Sequence, residues 1–316
     1  MMMCRTILIL FVLIQAGEAF SQQLPGFSQY MLNHLAINPA AAGNKDRFVA
    51  RLGYRNQWTG FDGAPETGVL SVHGNLNESA NSIGGFLYND ATGPTKRTGL
   101  NLAYSYRISL GGTSKGNKWS GNILAFGIQG GAFQYTLDGT RMTTDEPDDA
   151  AVPLNNESVI VPDAGFGIYS YSKKYYIGFS IPQLLETKVK FNDVDRVTVG
   201  RVKQHYYFFG GLYFFISDKL SLEPSGLIRG VKGAPMQLDI NMKAHINQTY
   251  WFGVSYKSRE AVVMLAGIRI QKRFHLGYAY DLNFSELQSY SGGSHEIILG
   301  VDFGQEKVQK GSPSFL

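Results

Sequence analysis

The sequence predicts an all-β protein: a transmembrane antiparallel β-barrel of about 14 strands with a short N-terminal periplasmic segment. Three observations carry that reading. Past residue 47, apolar residues alternate with polar or small ones in segment after segment. No apolar run is long enough for a membrane helix. The composition is low in charge and rich in glycine and aromatics: 17% Asp, Glu, Lys and Arg against about 25% in a soluble domain, 37 glycines in 316 residues, and 13% Phe, Trp and Tyr. An apolar share of 44% with a net charge of only +4 excludes a disordered chain. The sequence pI of 8.9 is too mild, and its basic residues too scattered, to indicate a nucleic-acid partner.

Residues 1–21 read as an export signal. Arg5 supplies the positive flank, and residues 7–14 form a short apolar stretch. Ala19 and Ser21 then put small residues at −3 and −1, which predicts cleavage before Gln22. A membrane helix needs about 20 apolar residues, so a membrane role requires a closed barrel. The single cysteine, Cys4, departs with the signal, leaving no thiol for disulfides, metal binding or catalysis. Residues 22–47 form the periplasmic segment. In it Phe27, Tyr30, Met31 and Leu35 fit one face of a short helix, which Asn38-Pro39 ends. That face needs a cover. The six residues Phe27, Tyr30, Met31, Leu35, Asn38 and Pro39 are therefore the candidate partner-binding residues, with the barrel's own mouth or lumen as the competing cover.

The barrel occupies residues 48–303. Its expected strands are 48–58, 66–76, 82–89, 96–109, 121–137, 162–171, 175–182, 204–216, 219–230, 237–246, 249–258, 261–270, 274–282 and 294–303. The alternation is clearest where Leu238, Ile240, Met242, Ala244 and Ile246 interleave with Gln237, Asp239, Asn241, Lys243 and His245. Apolar-out, polar-in segments bordered by Tyr and Phe are the outer-membrane pattern. Connections 77–81, 172–174, 217–218, 247–248 and 271–273 are short and fall on even positions. Connections 138–161, 183–203 and 283–293 are long and fall on odd ones. Short periplasmic turns and long outer loops are the barrel rule, which puts both termini in the periplasm. The Gly-rich connection 110–120 is the exception, and residues 304–316 are a polar tail.

Several stretches carry a family resemblance. They are Phe27-Ser28-Gln29-Tyr30-Met31, Asn38-Pro39-Ala40-Ala41-Ala42-Gly43, Leu70-Ser71-Val72-His73-Gly74 and Gly85-Phe86-Leu87-Tyr88-Asn89-Asp90. They continue with Pro162-Asp163-Ala164-Gly165-Phe166-Gly167, Tyr175-Tyr176-Ile177-Gly178-Phe179, Val231-Lys232-Gly233-Ala234-Pro235 and Gly292-Gly293-Ser294-His295-Glu296. Over nearly all of the mature chain the sequence resembles the PorP/SprF family, outer-membrane proteins of the type IX secretion and gliding machinery of Bacteroidetes. One departure is Ala41, where the family's NPAYAG motif has Tyr. The resemblance implies a non-enzymatic barrel without a cofactor. Its implied partners are outer-membrane lipid, periplasmic secretion components and one cell-surface substrate such as an adhesin, with no nucleic acid.

Other chemistry is sparse. None of the six histidines has the i, i+4 helical spacing of a zinc enzyme. His245 and His275 fall on polar strand faces and are expected to hydrogen-bond in the lumen. No G-x-S-x-G elbow marks a nucleophile, which leaves an outer-membrane hydrolase as the weaker alternative. Asp145, Glu146, Asp148 and Asp149 read as a solvated outer loop rather than a Ca²⁺ site. Arg51, Arg55, Arg107, Asp239, Lys243 and Asp281 face the lumen, either as internal salt bridges of a filled barrel or as the lining of a porin-like channel.

Overall fold

The computed structural model describes residues 26–45, 47–76, 79–111, 121–142, 155–190, 198–284 and 291–304. The export signal, the four acidic residues at 145–149, most of the 110–120 connection and the tail from residue 305 lie outside the described residues.

The strands are β1 (Phe48–Asn56), β2 (Glu66–Asn75), β3 (Asn81–Thr92), β4 (Thr95–Ser109), β5 (Ile123–Asp138), β6 (Asn156–Tyr171) and β7 (Tyr175–Ile181). There follow β8 (Lys188–Lys190), β9 (Thr198–Arg201), β10 (His205–Leu212), β11 (Phe214–Ser217), β12 (Leu220–Val231) and β13 (Gln237–Ile246). The last four are β14 (Tyr250–Lys257), β15 (Ala261–Ile270), β16 (Phe274–Asn283) and β17 (Ser294–Phe303). Each barrel strand pairs antiparallel with its neighbours, and β1 meets β17 with Leu52 opposite Leu299, which closes the sheet. β10 and β11 both pair with β12 and are two halves of one strand broken at Tyr213. Counted so, the barrel has 14 strands, the expected number.

Period-two alternation explains the wall. Leu238, Ile240 and Met242 on β13 are exposed, while Asp239, Asn241 and Lys243 between them are buried. At the short-turn end, Phe48, Tyr106, Phe126, Phe215, Tyr250, Phe274 and Phe303 all point outward and are exposed. This is an aromatic girdle at one membrane interface. Two of the short connections hold a tight turn, closed by Thr249 N–H on Ile246 O and by Arg273 N–H on Ile270 O, with both central residues at positive φ: Asn247 (53°) with Gln248 (55°), and Gln271 (51°) with Lys272 (55°). That primed geometry matches the twist of the strands it joins.

Three local expectations are corrected. β6 starts at Asn156 rather than 162, because it pairs with β5 along its whole length, out to Asp138 opposite Asn156. The connection expected over 183–203 contains a small hairpin, β8–β9, whose Val189 is buried among Phe133, Tyr135 and Val161. The N-terminal segment forms three short 3-10 turns, Tyr30–Leu32, His34–Ala36 and Pro39–Ala41, not one helix. Asn38-Pro39 starts the third turn instead of ending a helix: the Asn38 side chain caps the Ala40 N–H at 2.9 Å and Pro39 sits where no donor is required.

The core of the molecule is the lumen. Tyr30, Met31, Ile37, Ala40 and Ala41 pack against inward residues that include Ile123, Tyr169, Tyr176, Phe209 and Trp251. Leu35 and Ala42 pack against Val69, Phe86, Tyr88 and Phe133.

Candidate functional site

Residues 26–45 cross the lumen from one mouth to the other. At the mouth of the long connections, the Ser28 and Gln29 backbone N–H groups donate to the Glu296 carboxylate at 2.6 and 2.9 Å. The Ser28 hydroxyl bonds Asp281 at 2.9 Å. Arg55 pairs with Asp281 at 2.7 Å and Glu296 at 3.2 Å, and Lys257 with Asp281 at 3.1 Å. These four residues sit at the ends of β1, β14, β16 and β17 nearest the 57–65, 258–260 and 284–293 connections. They are fully buried charges, compensated by one another and by the segment's backbone.

In the middle of the barrel, Asn241 donates to the Tyr30 hydroxyl at 2.8 Å and Ser71 to Asn33 Oδ1 at 2.9 Å. His34 is enclosed by Tyr169, Tyr176 and Phe209, with ring centroids 5.7, 4.8 and 5.0 Å away. Its Nδ1 lies 3.1 Å from the Tyr169 hydroxyl. Asn38 Nδ2 donates to the carbonyls of Ile168 and Phe179 at 3.0 and 3.3 Å, and Ser180 donates to Ile37 O at 2.5 Å. A Cβ on Gly127 of β5 would collide with the Ala40 nitrogen, and one on Gly167 of β6 with Asn38 Oδ1. Glycine at these two wall positions makes room for the third turn.

At the opposite mouth, Gly43 N–H donates to His73 Nδ1 at 3.1 Å and Arg107 to Gly43 O at 3.2 Å. Asp302 gathers Lys45, Arg51 and His275 at 3.3, 2.9 and 3.2 Å. Gly26, beside Arg229, and Gly304, beside Arg47, thus lie at opposite mouths. Strand parity, which assigns both ends to one side, does not see this traverse. The segment is drawn inside because its apolar face and many of its backbone groups find partners there.

The six candidate partner-binding residues are the segment's own lumen contacts. Tyr30, Met31 and Leu35 are 2%, 1% and 1% exposed, Asn38 and Pro39 are buried, and Phe27 is half-buried. The lumen charges expected from the sequence are all inside. Besides the pairs already given, Asp239 holds Arg229 at 3.0 Å, and Glu223 holds Lys243 at 2.8 Å and His245 at 2.7 Å. Glu223, Glu296 and Asp302 are central to these networks and were not singled out in the sequence. Their inward register on β12 and β17 was the available signal.

Fold and lumen together define an outer-membrane-type β-barrel of 14 strands whose interior is occupied by its own N-terminal segment. The family model for the type IX secretion system membrane protein PorP/SprF matches residues 19–301, and the chain belongs to that family. No curated protein matches it. Among solved structures it is similar to the toluene transporter TbuX of Ralstonia pickettii, with TM-score 0.51 and 11% identity over 87% of this chain and 93% of that one. A FadL homologue of Pseudomonas aeruginosa is also similar, with TM-score 0.47 and 11% identity over 94% and 96%. At such identity the likeness to TbuX is one of fold.

Proposed function

We propose that this protein is a closed outer-membrane scaffold of the type IX machinery. It supports export or surface attachment of one partner protein, such as an adhesin, and docks to periplasmic components of the system. The observation that carries the reading is the filled lumen. A solute pore needs a continuous water path, and here residues 26–45 occupy it with apolar packing and buried ion pairs. Family membership supplies the machinery. Docking then falls to the two mouths, and outer-membrane lipid surrounds the apolar band. Phe27, Tyr30, Met31, Leu35, Asn38 and Pro39 reach a partner only in a state where the segment has left the lumen.

A photo-crosslinking amino acid at Tyr30, used in the native outer membrane, tests both states. Crosslinks within the barrel alone are expected at rest, and an adduct with a secretion component during export. A barrel that never yields an adduct removes these residues from docking. The second reading is a small-solute channel, because TbuX, the fold relative, is a transporter of toluene. A large, stable single-channel conductance of the purified protein would favour it over the scaffold.

A further inference from the structure

A cavity lies beside the N-terminal segment, below the long-connection mouth. Its volume is about 40 Å³. Its walls are apolar and aromatic: Phe27, Val69, Phe86, Tyr88 and Tyr207 all line it. Asn101, Gln129, Asp163 and Gln183 are its polar lining residues. The Gln129 amide already donates to Pro182 O at 3.1 Å. Asn101 and Asp163 keep acceptor capacity to spare. Asn101 is 2% exposed, and its Oδ1 has no hydrogen-bond partner. Asp163 is 7% exposed; its Oδ1 accepts only the Ala164 N–H, at 2.9 Å, and no cation of the described residues pairs with it.

That isolation is unusual for this lumen. Asp239, Asp281, Asp302, Glu223 and Glu296 each hold a cationic side chain within 3.3 Å. Arg97, the neighbouring cation, stacks on Tyr135 at 5.4 Å instead. A buried carboxylate and an orphan amide oxygen together call for a donor with positive charge. Tyr and Phe rings around them favour an organic cation over a hydrated metal ion. The space holds an ammonium head and two or three carbons, since one water needs about 10–15 Å³ of cavity volume.

We propose that this cavity is a binding site for a primary alkylammonium group, whose nitrogen sits between Asp163 and Asn101 and whose carbon stem lies against Phe86 and Tyr88. The site shares Phe27 with the docking segment, but its test does not depend on the docking role proposed above. The test uses the purified full-length protein in detergent, with n-propylammonium and its neutral isostere n-propanol titrated by saturation-transfer NMR. Propylammonium binds and propanol does not. Asp163→Asn weakens propylammonium by about tenfold or more, the weight of a charge-assisted hydrogen bond. Val69→Phe fills the cavity without touching the carboxylate and also abolishes binding. This second variant decides the matter if Asp163→Asn fails to assemble. Equal binding of propanol, no effect of either variant, or no binding of propylammonium to the unmodified protein overturns the proposal.

Discussion

Gly127 faces the lumen in the first third of β5, where any side chain would strike the Ala40 backbone. Gly127→Val should suit the strand itself but dislodge the third turn of the segment, at about 1–3 kcal/mol of overpacking. The variant is expected to keep its heat-modifiable migration, melt lower, and show a conductance that the unmodified protein lacks.

At the scale of elements, period-two alternation located every barrel strand, because each strand's inward and outward faces are decided locally by the pleat. What alternation could not supply was the destination of the N-terminal segment. Ser28 meets Glu296 and Asp281, and Tyr30 meets Asn241, across more than 200 residues of sequence. Such pairs are fixed only when the barrel closes. The segment's turns were equally hidden: Asn38-Pro39 reads as a stop in a helical frame and acts as a start once Asn38 caps Ala40. Likewise, the wealth of glycine was evident, but not that Gly127 and Gly167 are seats for this turn. The segment's hold can be measured. Tyr30→Ser with Met31→Ser removes two side chains that are 2% and 1% exposed, each contributing about 1.5–3 kcal/mol by burial. The barrel should still assemble, since its 14-strand closure does not use the segment. Its lumen should become permeable, read as single-channel conductance or as swelling of solute-filled vesicles. A variant that stays sealed would show that the two charged anchors at the mouths are sufficient to hold the segment.

For the whole molecule, the two mouths differ in how they meet a protease. Lys173, Lys174, Lys219, Lys272 and Arg273 are exposed at the short-turn mouth, yet they sit in turns of two or three residues clamped between paired strands. Trypsin needs an extended stretch in its cleft, so cutting there requires local opening of the barrel wall. Arg141 and Arg201 are each about half exposed in the long connections of the other mouth, outside the barrel ladder. With long loops outside the cell, trypsin added to intact cells is expected to cut at these connections and to spare 172–174 and 271–273. The fragments should stay together in detergent until boiled, because the strands that flank each cut remain hydrogen-bonded to neighbours on their other sides. Cleavage at these same connections only after the outer membrane has been broken would place the long-connection mouth, and Gly26 with it, in the periplasm. The docking surfaces assigned to the two mouths would then exchange sides.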